Sequence, residues 1–146
     1  MDSVLLDTNV LLDFFEIPRA EHDISAALMV ELAKGAIKIC VAGTSLKDSY
    51  YILSKRIGKA QARHAVESIL TTMTILPVDD ACCRLAYACA EPDFEDGIIR
   101  AAAEIGHVDY LVTRDRSAFA GSVVPKISPR DLLREIHAAG PTWENR

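Results

Sequence analysis

Residues 3–15 read "SVLLDTNVLLDFF", an apolar stretch broken in its middle by Asp7, Thr8 and Asn9. Ser3–Leu6 has the look of a short strand, and the residues from Asn9 to Phe15 fit a helix. An ionised carboxylate among buried aliphatics is costly unless something pairs with it or binds it. A helix cap at Asp7 or Asn9 explains the interruption as well as a binding role does. The triplet by itself leaves the two readings even.

The strand-then-helix layout recurs along the chain. Candidate strands are Ser3–Leu6, Ile37–Val41, Thr74–Pro77, Tyr110–Val112 and Val123–Lys126. Between them lie amphipathic stretches at Asn9–Phe15, Asp23–Lys34, Ser45–Lys55, Lys59–Thr71, Asp79–Ala90, Phe94–Ile105 and Pro129–Ala138. Short connections and alternating elements predict parallel βα units. The fold class is therefore α/β, a three-layer α/β/α sandwich around a mostly parallel sheet of four to five strands. Residues 1–139 are expected to form a single domain, with 140–146 as a loose tail. In such sheets, ligands sit beyond the carboxyl ends of the strands.

Composition narrows the function classes. The chain has 146 residues, half of them apolar and a quarter charged, as in ordinary globular domains. No segment is apolar enough to span a bilayer, and the N-terminus lacks a signal-peptide layout, so the expectation is a cytoplasmic protein with no membrane segment. The net charge of −5 means that any polyanion must be met by a local basic patch or by bound cations. Cys82 and Cys89 lie two helical turns apart, roughly 10 Å and beyond disulfide reach. Cys40 falls in a strand-like run, and the cysteine spacing fits no familiar zinc pattern, so buried reduced thiols are expected.

Four acids fall where strands end or helices begin. Asp7 follows the first strand, where Asn9 can hold its carboxylate and Thr8 can cap the next helix. Asp48, in "VAGTSLKDSYYILSK" (41–55), lies one turn into a helix capped by Thr44 or Ser45; an acid there is more often solvent-facing. Asp96, in "PDFEDGIIRAAAEIG" (92–106), lies in a first turn behind Asp93 as N-cap, where the helix dipole favours acids. Asp115, in "YLVTRDRSAF" (110–119), follows the fourth strand, whose last residue, Thr113, carries a hydroxyl able to orient a carboxylate; a simple turn also accounts for it. Together the four can converge on one sheet edge. Clustered carboxylates repel, and hard divalent cations compensate; an all-oxygen set suits Mg²⁺ or Mn²⁺.

These motifs resemble the PIN-domain family, particularly toxin ribonucleases of the VapC type, over the whole chain. "LLDTNVLLDFF" looks like the family's opening motif, with its metal-binding Asp at Asp7. "DFEDGIIRAAAEIGHVDYLVTRD" (93–115) looks like its closing half, with further acids at Asp96 and Asp115 and the hydroxyl position at Thr113. Asp48 stands where the family usually has Glu, and Ala118-Phe119 replaces a common Asp-Phe. The resemblance implies Mg²⁺- or Mn²⁺-dependent endonucleolytic cleavage of RNA, leaving a 5′-phosphate and a 3′-hydroxyl. Asp7, Asp48, Asp96 and Asp115 would bind metal directly or through water, with Asp93 auxiliary. It further implies a homodimer and an antitoxin protein as partner.

For substrate contact, "KRIGKAQARH" (55–64) presents Lys55, Arg56, Lys59 and Arg63, although a solvated helix face is the commoner meaning of such a run. Arg114 and Arg116 flank Asp115 and can reach a phosphate from the rim. His22, His64, His107 and His137 are scattered and receive no catalytic role. A haloacid-dehalogenase-type phosphatase needs a second Asp where this chain has Asn9, and a receiver domain needs an acceptor Asp where it has Pro77. An inert RNA-binding or interaction module with the same fold is the alternative from another class.

Overall fold

In a computed structural model, residues 1–140 are described; most of the expected loose tail, from 141 onward, lies outside them. The chain runs β1 (Ser3–Leu6), α1 (Thr8–Phe15), α2 (His22–Lys34), β2 (Lys38–Ala42), α3 (Gly43–Ile57), α4 (Lys59–Thr72), β3 (Thr74–Leu76), α5 (Asp80–Cys89), α6 (Phe94–Ile105), β4 (Tyr110–Val112), β5 (Lys126–Ile127) and α7 (Pro129–Ala139). The five strands form one sheet in the order β3-β2-β1-β4-β5, and every pairing is parallel. This is the expected α/β/α architecture.

The period of two along each strand divides the core. Leu5, Cys40, Ala42 and Leu111 face the layer of α5 and α6, where Cys82, Ala86, Ile99 and Ala103 meet them. Val4, Leu6, Val41 and Val112 face the other side, covered by Val10, Leu28, Leu32, Ile69 and Leu132 of α1, α2, α4 and α7. A smaller cluster of Leu53, Ala62 and Ala65 ties the α3–α4 hairpin to Leu12 of α1. Gly58 makes that hairpin turn at φ 92°, a conformation open chiefly to glycine.

The sheet order sets the site. The chain builds outward from β1 to β2 and β3, then crosses back to β4 on the other side of β1. The reversal leaves a crevice at the carboxyl ends of β1 and β4, the usual ligand position in open α/β sheets. Asp7 extends β1 into it, its N–H bonded to the carbonyl of Val112 at 2.9 Å.

Several boundaries differ from the sequence reading. The last strand is Lys126–Ile127, not Val123–Lys126. Pro125 has no N–H to give, so pairing begins with its carbonyl, which accepts from Leu111, and Val123 is left 86% exposed. Helix α3 begins at Gly43, two residues early, with Ala42 as N-cap and no side-chain cap from Thr44 or Ser45. Thr8 is not a cap either: Asp7 is, accepting from the Thr8 N–H, while the hydroxyls of Thr8 and Ser45 bond each other at 2.8 Å. All four cysteines are free; Cys40 and Cys82 are buried, Cys89 half-buried and Cys83 exposed.

Candidate active site

Asp7 is buried and held on three sides. Its carboxylate accepts from the Thr8 N–H at 2.8 Å, the Thr113 hydroxyl at 2.7 Å and the Asn9 amide at 3.3 Å. Thr113, the residue after β4, is 3% exposed, and its oxygen also accepts from the Asp115 N–H at 3.0 Å. One hydroxyl thus links two acids across the crevice. Burial raises the pKa of Asp7 despite these bonds, and the charge of Asp115 adds to the rise while that of Arg114 opposes it.

Asp96 reaches the same place from α6. Asp93 caps that helix, accepting from the Glu95 N–H at 2.8 Å, which puts Glu95 and Asp96 in the first turn. Gly97 lets the turn approach α5: a Cβ there would stand 3.0 Å from the carbonyl oxygen of Ala86. Burial, then the charges of Asp7, Asp93, Asp115 and Glu91, push the pKa of Asp96 up to about 6. Asp115 is the opposite case: N–H groups of Ala118 and Ser117 and the Ser117 hydroxyl bond one of its oxygens, and its pKa is lowered. Asp48 on α3 pairs with Lys47 at 3.0 Å.

These four acids line one cavity of about 520 Å³, together with a fifth, Glu95, and with Thr8, Asn9 and Arg19. Helix α3 brings Asp48, α6 brings Asp96, and the carboxyl ends of β1 and β4 bring Asp7 and Asp115. Among the described residues, no group of three or more His, Cys, Asp or Glu side chains is arranged to hold a metal ion. The donor chemistry nevertheless fits a hard divalent cation: every acid in the cavity offers oxygen, no Cys or His lines it, and Asp96 has no hydrogen-bond or ion-pair partner among the described residues.

A motif match covers residues 3–117 with the PIN domain. The chain belongs to the PIN domain family. Solved structures of similar fold include VapC20 of Mycobacterium tuberculosis, described as a sarcin–ricin loop cleaving toxin, at 17% identity and TM-score 0.65, covering 94% of this chain and 95% of that one. VapBC2 of Rickettsia felis, bound to a fragment of its promoter DNA, aligns at 17% identity and TM-score 0.67, covering 86% of this PIN domain chain and 98% of the other. A toxin–antitoxin complex from Klebsiella pneumoniae aligns at 22% identity and TM-score 0.63, covering 86% and 97%. Among curated protein sequences, none matches significantly.

The basic residues singled out in the sequence lie in different settings. Arg56 bonds Glu16 at 2.5 Å, and Lys55 sits over the ring of Tyr51. Arg63 lines a separate groove between α3 and α4, and Lys59 is exposed on α4. Arg114 turns to Asp13, with bonds of 2.5 and 3.2 Å, and Arg116 is exposed.

Two groups of residues in this PIN domain escaped the sequence reading. Asp13, 1% exposed, and buried Glu16 anchor arginines at the cavity mouth: Arg19 bonds Glu16 at 2.6 Å and Asp13 at 3.5 Å. Arg100 bonds Glu91 and Glu104, each at 3.1 Å, and the Gly121 carbonyl at 2.6 Å. Glu91 also accepts from the N–H of Phe119, whose φ of 66° is unfavourable for a bulky residue. This clamp ties α6, which carries Asp96, to the loop that carries Asp115. Asp13 offered a signal, since it interrupts "VLLDFF" as Asp7 interrupts the run before it; Glu91 and Arg100 offered none.

Proposed function

We propose that this PIN domain is a Mg²⁺- or Mn²⁺-dependent endoribonuclease that hydrolyses RNA phosphodiesters, and that it is the toxin of a toxin–antitoxin pair. The observation that carries the reading is the convergence of Asp7, Asp48, Asp96 and Asp115 on one cavity at the β1/β4 crevice. In this reading Asp7 and Asp96 hold the cation, and Asp48 and Asp115 contribute directly or through water. The bound ion supplies positive charge to the phosphate and acidifies the attacking water.

The chain's own residues do the rest. Thr113 and Asn9 fix the Asp7 carboxylate, and Thr113 spaces it from Asp115. Asp96 is ionised at neutral pH only against burial and the charges of its acidic neighbours, a cost that a divalent cation held there would offset. Arg19, held by Glu16 and Asp13, lines the acid cavity, where it would meet phosphate oxygens. The toxin role, with an antitoxin protein as partner, draws support from the toxin–antitoxin complexes among the structural neighbours, and a homodimer and a cytoplasmic location belong to the same proposal. No described helix is long and apolar enough to cross a membrane.

The pairing of Asp48 with Lys47 favours a second reading, a catalytically weak RNA-binding or interaction module. One experiment separates them. Purified protein is incubated with structured RNA in Mn²⁺ or EDTA, alongside Asp7→Asn and Asp96→Asn. Metal-dependent cleavage lost in both variants supports the nuclease; cleavage that survives EDTA or both substitutions refutes it. Metal-dependent RNA binding without cleavage supports the module.

A further inference from the structure

Beside the acid cavity lies a second one, of about 750 Å³, and the two share Asp115. Five cationic side chains line it, Arg114, Arg116, Lys126, Arg130 and Arg134, against three acids. That excess is notable on a chain of net charge −5. The cations differ in what holds them. Arg114 is fixed by two bonds to buried Asp13. Lys126 is spent on the turn between the cavities, donating to the carbonyls of Arg116 at 2.8 Å and Ala118 at 2.6 Å.

The other three point their charge outward. Arg116 has no side-chain partner among the described residues. Arg130 stands a loose 3.8 Å from Glu21, and Arg134 makes an exposed pair with Asp131 at 3.3 Å. Such pairs contribute little and exchange readily for a stronger anion. Both arginines rise from the first turns of α7, whose N-terminal dipole adds positive potential on the same side.

We propose that this basic cavity docks the phosphate backbone of the RNA strand on one side of the bond presented to the acids, with Arg116, Arg130 and Arg134 as its phosphate-binding residues. The inference rests on the ribonuclease reading for its substrate. A strand whose phosphate enters the acid cavity meets the Asp115 turn and, past it, these three arginines. Arginine forks match phosphate oxygens in pairs, which suits positioning of a backbone without regard to sequence.

The test is binding without cleavage. A fluorescent single-stranded oligoribonucleotide is titrated in EDTA across a range of salt, with wild type, Arg116→Gln and the double variant Arg130→Gln/Arg134→Gln. Arg84→Gln, an exposed position on α5 across the sheet, is the control. The double variant is expected to bind about tenfold more weakly and to lose about 1.4 from the slope of log affinity against log salt, two phosphate contacts at roughly 0.7 each. Arg116→Gln loses about half that slope, and Arg84→Gln loses none. Unchanged affinity and slope in both cavity variants overturn the proposal. So does a result in which poly-glutamate, and not RNA, competes for these arginines, because the occupant is then a protein. Cleavage in Mn²⁺ on the same proteins is scored separately: a wild type that binds through these arginines but never cuts refutes the nuclease reading and leaves the docking intact.

Discussion

Replacing Thr113 by valine keeps the shape of a buried side chain and removes one hydroxyl. That hydroxyl donates to the Asp7 carboxylate at 2.7 Å and accepts from the Asp115 N–H at 3.0 Å. A hydrogen bond to a charged group contributes about 1.5–3 kcal/mol and a neutral one about 1 kcal/mol, less whatever Asp115 recovers from water. The expected loss is about 2–3 kcal/mol at neutral pH, a fall of roughly 10 °C in Tm for a chain this size. The bond to Asp7 stabilises the ionised form and so lowers a pKa that burial raises. Its contribution is present where Asp7 is charged and is lost as pH falls through that raised pKa. Urea unfolding in EDTA, followed by circular dichroism at about pH 8 and again at about pH 4, reads both parts. The variant is expected to be clearly less stable at the higher pH and closer to wild type at the lower. Thr113→Ser keeps the hydroxyl and is expected to lose only about 1 kcal/mol, nearly independent of pH. A valine variant as stable as wild type at high pH, or one whose deficit grows in acid, refutes the linkage between the two acids.

Three further outcomes follow from the geometry. Asp96, with a pKa of about 6 in the fold, costs stability as it ionises: the fold is most stable below the unfolded value near 3.8 and loses stability as pH rises through 6. In EDTA at neutral pH, Asp96→Asn should therefore melt higher than wild type, an advantage that thermal melts should see vanish in acid, while the variant gains less from added Mn²⁺. Arg100→Met breaks a partly buried cluster with Glu91 and Glu104 and frees the loop at Gly121, so chemical denaturation should show a loss of about 2–3 kcal/mol. Gly97→Ala sets a Cβ 3.0 Å from the Ala86 carbonyl, a backbone atom that cannot swing aside; it should lower Tm even though alanine favours helix by about 1 kcal/mol.

The sheet was legible because its strands are buried on both faces. Val4, Leu5 and Leu6, and likewise Leu111 and Val112, are apolar whichever way they point, so short apolar runs between helical patterns marked them. The weakest strand was misplaced because Val123 and Val124 look like β residues, whereas a missing N–H at Pro125 decides where pairing starts. Caps were read correctly where an Asp does the capping, at Asp93, and wrongly at α3, whose first residue is Gly43. Thr44 and Ser45 looked like caps in the sequence, but Ser45 is drawn to Thr8 of another helix.

What the sequence determined by itself was local: which runs are apolar, their period, and that Asp7, Asp96 and Asp115 stand at strand ends or a helix start. The tertiary structure alone decided who meets whom. The order β3-β2-β1-β4-β5 sets β1 beside β4, and only then does Thr113 bridge Asp7 and Asp115, residues about a hundred positions apart. The same crossing turns Arg114 onto Asp13 and gathers Arg116, Arg130 and Arg134 around one cavity. Charge pairing acts through space and leaves no period along the chain, which is why these partners are unreadable until the sheet is assembled.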